Sequence, residues 1–302
     1  MNDSKNKSLG YYLLYGFSYL HSLLPFSVLY FLSDILYVIV YHIIGYRRKI
    51  VRGNLVNAFK EKDLSEIVNI EKRFYHFLCD YYFETIKLLY ISDKEVQKRM
   101  QFVNPELIDE LTRNGKTCIL SLGHYGNWEY VPSINFYKEN NKVQLSQIYK
   151  KLQNTAFDDF FLKLRSRFET QNIEMNQTYR TLLKNKRDEK SMVIGFLSDQ
   201  RPRQQTDDEW ISFLGREVQP ITGMERIARQ FNYSVLFLTL EPIKRGHYKA
   251  ELSVITRNAA EEPEFYITET YFRKLEQEII RNPPYYLWSH NRWSQKREKV
   301  ES

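Results

Sequence analysis

A run of 22 mostly apolar residues near the N-terminus is the feature that most constrains how this chain can fold. Residues Leu23–Ile44 read LLPFSVLYFLSDILYVIVYHII and include one formally charged side chain, Asp34. As a helix the run is about 33 Å long, enough to cross the hydrocarbon core of a bilayer. Asp34 costs about 2.5–3.5 kcal/mol at the bilayer centre, which the surrounding aliphatic and Phe residues offset. The run therefore predicts membrane attachment, either by spanning the bilayer or by lying in its interface.

The charges on either side of the run predict its orientation. Arg47–Lys49 and Arg52 follow it and outweigh Lys5 and Lys7 before it, so the positive-inside rule places the rest of the chain in the cytoplasm. No small-residue cleavage site follows the run, and its length exceeds that of a signal-peptide core. We predict an anchor segment at residues 1–50 and a folded domain at residues 51–302. The alternative is a buried hairpin that packs on a soluble domain.

The net charge and the cysteine content limit the classes of molecule that the protein is expected to bind. The chain has 44 basic and 37 acidic residues, a net charge of +7, which suits an anionic membrane, an acidic carrier protein or a nucleic acid. Zinc-finger spacing, an RNP-like aromatic strand and a long basic tail are all missing from the sequence, so we disfavour nucleic acid. Cys79 and Cys118 are too far apart for a metal knuckle and too few for a disulfide framework. We expect two inert thiols.

Beyond Gly115 the pattern changes from helical to alternating. Residues 51–115 show apolar side chains at helical spacing after a helix start at Asp63. The predicted strands are Thr117–Leu122, Val143–Tyr149, Met192–Ser198, Ser234–Leu240 and Tyr248–Ile255. The predicted helices are Thr155–Glu169, Thr178–Lys186, Gly223–Phe231 and Ile267–Arg281. Alternating strands and helices predict an α/β fold with a mostly parallel central sheet flanked by helices.

Polar clusters follow three of the predicted strands. They are His124, then Tyr149-Lys150-Lys151, then Asp199-Gln200-Arg201. In such sheets ligands bind beyond the carboxyl ends of the strands, so the placement favours one shared site.

The strongest local motif is GHYGNWE, residues Gly123–Glu129. We expect Asn127 to cap a helix whose first turn contains Glu129. A turn between them would let the Glu129 carboxylate reach the His124 imidazole, fix its tautomer and stabilise the imidazolium. His124 could then take a proton from an attacking hydroxyl as a general base. A metal site is disfavoured, because further His or Cys ligands at suitable spacing are missing.

These motifs make the chain similar to a known family. It resembles the bacterial lipid A biosynthesis acyltransferases, the lauroyl/myristoyl branch of the lysophospholipid acyltransferase superfamily, whose motif is a His, four residues and an acid. Further similar blocks are Ser198–Pro202, Phe213–Gly215, Pro220–Gly223 and Pro283–Trp293. The chain departs from the family at Tyr149-Lys150-Lys151, where Tyr-Arg-Pro is usual. The Phe-Pro-Glu-Gly-type block of glycerol-phosphate acyltransferases is absent, which argues against a simple glycerolipid acceptor.

The resemblance implies transfer of a fatty acyl chain from an acyl carrier protein thioester to a hydroxyl of a lipid A precursor. It implies His124 as base and Glu129 as its orienting acid, at the inner membrane and without metal or cofactor. Backbone amides near Gly126 and the Arg165 guanidinium are the candidate donors to the developing oxyanion. Arg165 and Arg167 resemble the family's paired arginines. The implied substrate-binding residues are Gly126, Asn127, Tyr149, Lys150, Arg165, Arg167, Asp199 and Arg201.

Other functions stay open from sequence alone. The acceptor could be an ornithine or glycine lipid, a glycolipid or a lysophospholipid, because acceptor choice depends on pocket shape. A hydrolase that directs the same His to water, or a membrane adaptor without chemistry, are further alternatives. The basic patches Arg47–Arg52 and Lys184–Arg187 are candidates for contact with an acidic carrier or with lipid headgroups.

Overall fold

The computed structural model describes residues 9–202 and 210–294, and a seven-stranded β-sheet lies at its centre. Lys5 and Lys7, used above to orient the apolar run, lie outside the described residues. The strands of the sheet are β1 Met100–Val103, β2 Cys118–Leu122, β3 Gln144–Tyr149, β4 Gln171–Glu174, β5 Met192–Leu197, β8 Ser234–Lys244 and β9 His247–Thr256. A separate antiparallel hairpin consists of β6 Ile211–Phe213 and β7 Arg216–Val218.

The order of strands across the sheet is β1-β9-β8-β2-β5-β3-β4. Every neighbouring pair is parallel except β8 and β9, which are antiparallel. All five residues of β2, CILSL, are buried, as expected for a central strand covered on both faces. The predicted α/β fold with a mostly parallel sheet is confirmed.

Helices cover the sheet and extend from it on the N-terminal side. The α-helices are α1 Leu9–Leu23, α2 Phe26–Tyr37, α3 Arg48–Ala58, α4 Leu64–Leu88, α5 Asp93–Arg99, α6 Glu106–Leu111, α7 Thr155–Ser166, α8 Thr178–Arg187, α9 Gly223–Phe231 and α10 Tyr266–Arg281. A π-helical segment, Val38–Ile44, continues α2. Short 3-10 segments are Arg113–Gly115, Trp128–Phe136, Met175–Gln177, Pro283–Tyr285 and Arg292–Ser294.

The longest helix, α4, begins where the sequence indicates a helix start. Asp63 accepts a hydrogen bond from the backbone N–H of Glu66 at 2.9 Å, and the Glu66 carboxylate accepts one from the N–H of Asp63 at 3.1 Å. This reciprocal capping box satisfies two N–H groups that the first turn of a helix leaves free. α4 then serves as the surface on which the N-terminal helices pack.

Two edge strands were not predicted from sequence. β1 and β4 are four residues long and lie at opposite edges of the sheet. Strands this short carry too few alternating residues to give a period-two pattern. The predicted division near residue 50 falls inside α3, which runs from Arg48 to Ala58, and the two-part organisation remains a prediction.

One described helix is long and apolar enough to cross a membrane. It spans Phe26–Ile44, 19 residues with a mean hydropathy of 1.8, and only 22% of it is buried inside the protein. It corresponds to the apolar run from which the sequence predicts membrane attachment.

Candidate active site

The pairing of β2 with β5 creates the site. The two strands are parallel neighbours in which Leu122 is opposite Leu197. Two residues beyond each, His124 and Asp199 leave the sheet side by side. Nδ1 of His124 lies 2.7 Å from Oδ1 of Asp199, and the backbone N–H of His124 donates to the same oxygen at 3.3 Å. Asp199 is therefore the carboxylate that fixes the position of the imidazole.

Helix α10 holds the two strand ends in place. The Tyr271 hydroxyl donates to the carbonyl of Leu122 at 2.9 Å and accepts from the N–H of Ser198 at 3.2 Å. Gly123 provides the space for this packing, because a Cβ there would lie 2.3 Å from Cδ1 of Leu275. The glycine before His124 thus has a packing role beneath the site.

Asp199 is ionised although it is almost completely buried. Burial by itself would raise the pKa of its carboxyl group. The neighbouring His124, through its charge and its hydrogen bond, and the guanidinium of Arg292 hold that pKa at about 2. A carboxylate has only acceptor oxygens, so it accepts the Nδ1–H hydrogen bond and leaves the other ring nitrogen, Nε2, for a different partner.

Nε2 of His124 faces the polar side of the site. The Gln200 amide nitrogen is 3.3 Å from it, in position to donate to the Nε2 lone pair. The indole of Trp128 packs edge-on against the imidazole with ring centroids 5.1 Å apart. The His124 side chain is 16% exposed, so this nitrogen is within reach of a ligand.

Glu129 has a different partner from the one the sequence predicts. Residues Trp128–Phe136 form a 3-10 helix, and the Glu129 carboxylate in its first turn contacts α7. There Arg165 binds it through two hydrogen bonds, Nη2 to Oε1 at 2.8 Å and Nε to Oε2 at 3.2 Å. The Glu129 side chain is 3% exposed and that of Arg165 26%. The carboxylate facing His124 is that of Asp199.

Asn127 and Gly126 also have contacts that the sequence did not indicate. The Asn127 side chain caps no helix. It is completely buried and donates to Oε2 of Glu84 at 2.9 Å. Gly126 adopts a left-handed conformation with φ of +58°, which favours glycine. Its N–H donates to the carbonyl of Tyr285 at 2.9 Å, so this amide is already engaged.

The remaining predicted site residues are spread along the carboxyl edge or lie away from it. Tyr149 ends β3, one strand beyond β5, and Lys150 follows it as an exposed side chain. Arg201 is exposed two residues after Asp199. Arg167 lies elsewhere: it donates to Asp93 Oδ1 at 2.8 Å and to the carbonyl of Ile91, near the start of α5.

The C-terminal block forms one wall of the site. The N–H of Leu287 donates to the carbonyl of His124 at 3.0 Å. Arg292 is buried, with its guanidinium 5.0 Å from the ring centroids of both Phe213 and Phe272. The sequence marked this block only by its resemblance to the family signature. No motif spacing indicated that Arg292 lies near Asp199, because the two residues are far apart in the chain.

Within the described ranges no group of three or more His, Cys, Asp or Glu side chains is arranged to hold a metal ion. Both cysteines are free and buried, and burial raises their pKa to about 12, which keeps the thiols protonated at neutral pH.

The fold and the site together define an α/β protein with a buried acid–histidine pair at the carboxyl edge of its sheet. The model of the family described as bacterial lipid A biosynthesis acyltransferase matches residues 3–295. The chain belongs to this family, which makes it an acyltransferase with an acyl donor and a lipid acceptor. A search of curated proteins found no match.

Glu84 gives the first testable prediction. Burial, with a contribution from the charge of Asp80, raises the pKa of its carboxyl group to about 7, against opposing hydrogen bonds from Asn127 and Tyr248. Between the unfolded value of 4.5 and about 7 the folded state keeps a proton that the unfolded chain has lost. The free energy of unfolding therefore falls as pH rises through that window.

Glu84→Gln removes this titration, so the fall between pH 5 and pH 7.5 should shrink by about 1–3 kcal/mol. Urea unfolding in detergent at the two pH values measures the difference. Glu61→Gln, at an exposed carboxylate, is the matched control and should keep the wild-type slope. Equal pH dependence in the wild type and Glu84→Gln would contradict the prediction.

Proposed function

We propose that the protein transfers a fatty acyl chain from an acyl carrier protein thioester to a hydroxyl of a lipid A precursor, at the cytoplasmic face of the inner membrane. The observation that carries the proposal is the 2.7 Å contact between His124 Nδ1 and the buried Asp199 carboxylate, within a chain of this acyltransferase family. Such a pair makes the imidazole a general base that needs no Ser or Cys nucleophile.

The proposed reaction uses one proton. Nε2 of His124 accepts the proton of the lipid hydroxyl while the hydroxyl oxygen attacks the carbonyl carbon of the thioester. The tetrahedral intermediate carries its negative charge on the former carbonyl oxygen. When the intermediate collapses, the C–S bond breaks, and the leaving thiolate takes the proton back from the imidazolium. The products are the new ester and the free carrier thiol.

In this mechanism Asp199 and Glu129 have separate tasks. Asp199 orients the imidazole and stabilises its charged form, the part that the sequence assigns to Glu129. Glu129 is a positioning residue that fixes Arg165 through two hydrogen bonds. The partly exposed guanidinium of Arg165 is our candidate donor to the oxyanion, since the nearby amide of Gly126 is engaged with Tyr285. Gln200 occupies the approach to Nε2 and is the group that the acceptor hydroxyl displaces.

The second prediction separates the two carboxylates. Asp199→Asn should lower kcat by about 10²–10⁴-fold, because the imidazolium loses its counter-charge. His124→Ala should reduce transfer to background, and the double variant should be no slower than His124→Ala, because the two residues act as a unit.

Glu129→Gln leaves the mostly buried guanidinium of Arg165 without a counter-charge and is expected to lower stability by about 2–4 kcal/mol, less than for a fully buried pair because the guanidinium is 26% exposed. Pairing it with Arg165→Met should restore much of the stability but not the activity. Thermal unfolding and single-turnover acyl transfer, measured on the same preparations, separate the effects. Full activity in Asp199→Asn would refute its proposed role.

The third prediction concerns the donor. Lys150 and Lys151 are exposed at the carboxyl edge of the sheet, one strand beyond Asp199. Lys184 and Lys186 lie in the last turn of α8, which leads back to the start of β5. The first pair therefore lies on the side of His124 and the second on the opposite edge. An acidic carrier that delivers its thioester to His124 is expected to approach the first pair.

Lys150→Glu with Lys151→Glu should raise KM for the carrier-bound donor by about tenfold or more and leave kcat little changed. Lys184→Glu with Lys186→Glu makes the same change of charge and should leave KM close to wild type. An acyl donor without the carrier protein should be used equally by both variants. A rise in KM confined to the α8 variant would refute this docking side.

The fourth prediction tests the acceptor. A strain that lacks the gene should lose one acyl chain from lipid A, and only a plasmid with an intact His124 should restore it. Mass spectrometry of total lipids measures acceptor and chain length together. Loss of acyl chains from an ornithine lipid or a lysophospholipid, with lipid A unchanged, would refute this acceptor while retaining the acyltransferase.

A further inference from the structure

The apolar helix Phe26–Ile44 packs along α4 in antiparallel direction from one end to the other. Just before its start, Lys87 donates to the carbonyls of Ser22 and Leu24 at 2.7 and 2.6 Å. One turn into the helix, the Tyr30 hydroxyl donates to Oε1 of Glu84 at 3.1 Å. Later residues of the apolar helix therefore contact earlier residues of α4, so the two helices are antiparallel.

A hydrogen bond and two ion pairs fix the middle of the apolar helix to the rest of the protein. Ser33 Oγ donates to Asp80 at 2.6 Å. Arg245, from the turn between β8 and β9, bridges Asp80 at 2.7 Å and Asp34 at 2.6 Å. The one charged residue of the apolar run is thus neutralised by a residue of the folded domain.

The far end of the helix also contacts α4. The Tyr37 ring stacks on His76 at 3.5 Å between centroids, and Tyr41 lies 5.1 Å from Tyr75. The Tyr75 hydroxyl donates to the carbonyl of Tyr46, two residues past the helix. Both ends of the apolar helix are therefore fixed to the same folded domain.

α4 cannot cross a bilayer, and this decides the orientation of its partner. The 25-residue helix carries seven Asp, Glu, Lys and Arg side chains between Glu66 and Lys87. Each charged side chain at the bilayer centre costs about 2.5–3.5 kcal/mol even on insertion scales. Because Phe26–Ile44 lies against α4 along its whole length, crossing the bilayer would require α4 to cross as well or the contacts to break.

The face of the N-terminal helices away from α4 is apolar and exposed. On α2 and its π-helical extension Phe31, Ile35 and Val38 follow one another at helical spacing, with Phe31 64% exposed. On α1 Leu13, Phe17 and Leu20 form a second exposed stripe. We call the stripe on α2 and its π-helical extension the apolar face.

Basic residues border the apolar face at one end. Arg47 and Lys49 follow the π-helical segment and are exposed. Cationic side chains beside a largely exposed apolar helix fit an interface with anionic phospholipid headgroups, where each contributes attraction to the surface.

We propose that the apolar face lies in one leaflet of a bilayer that contains anionic phospholipid, with Phe26–Ile44 parallel to the membrane plane. The helix does not cross the bilayer, and the residues before and after it are on the same side. This orientation rests on the membrane attachment proposed above and adds its geometry. It places the whole catalytic domain against a single leaflet.

The fifth prediction concerns sidedness and uses single cysteines on either side of the helix. Ser22→Cys precedes it and Lys60→Cys follows it, and the native Cys79 and Cys118 are buried, so the wild type serves as the blank. A membrane-impermeant maleimide is added to right-side-out and to inverted membrane vesicles. Both new thiols should label in the same vesicles. Labelling of position 22 only from the opposite face, or only after detergent, overturns the proposal.

Flotation with vesicles tests the apolar face itself. Phe31→Ser with Ile35→Ser should reduce the vesicle-bound fraction about fivefold or more. Tyr266→Ser with Ile280→Ser, at exposed apolar residues of α10, is the matched control and should bind as the wild type does. Equal binding by the α2 and α10 variants overturns the assignment of the face.

The basic border is tested with vesicles of two compositions. Lys49→Gln should weaken binding about fivefold to vesicles of phosphatidylcholine that contain about 30% phosphatidylglycerol. Its binding to vesicles of phosphatidylcholine alone should equal that of the wild type.

These readouts do not depend on acyl transfer. An inactive protein whose two thiols label from the same side refutes the chemistry and keeps the orientation. An active protein whose thiols label from opposite sides refutes the orientation and keeps the chemistry.

Discussion

The in-register parallel pairing of β2 with β5 is the constraint on which the site depends. Leu122 lies opposite Leu197, so the residues two positions further, His124 and Asp199, emerge next to each other. Neither side chain needs a long loop to reach the other, and Tyr271 fixes both strand ends from α10. The geometry of the acid–histidine pair thus follows from backbone hydrogen bonds in the centre of the sheet, where the structure deforms least.

The sequence predicted the fold class and a shared edge for the polar residues that follow β2, β3 and β5, but not the contact between His124 and Asp199. Alternating patterns predicted five of the strands, and the polar residues at their ends predicted one shared edge. The spacing of five residues favours Glu129 as the partner of His124. Asp199 is 75 residues away, and its pairing depends on β5 lying beside β2, which one sequence does not reveal. Local spacing therefore favoured the wrong neighbour for a contact that the sheet determines.

Beneath the candidate site, a buried polar network links the loop that follows His124 to the N-terminal helices. Glu84 accepts hydrogen bonds from Asn127 of the loop, from Tyr248 of β9 and from Tyr30 of α2. A buried carboxyl group tolerates this environment because donors surround it. The apolar segment is therefore more than an appended anchor, since its Tyr30 shares a hydrogen-bond acceptor with the loop that follows His124.

The antiparallel packing of Phe26–Ile44 on α4 has a consequence for synthesis on the ribosome. Leu88, the end of α4, lies 44 positions after Ile44, so the apolar segment emerges well before the helix that pairs with Ser33 and, through Arg245, with Asp34. Arg245 is made later still. Throughout that interval the nascent chain exposes an apolar segment whose packing partner has not yet been made. Targeting factors and chaperones bind segments of this kind. Under the membrane attachment that we propose, delivery to the lipid surface precedes folding of the domain, and completion of the β8–β9 turn then fixes the segment to its own domain through Arg245.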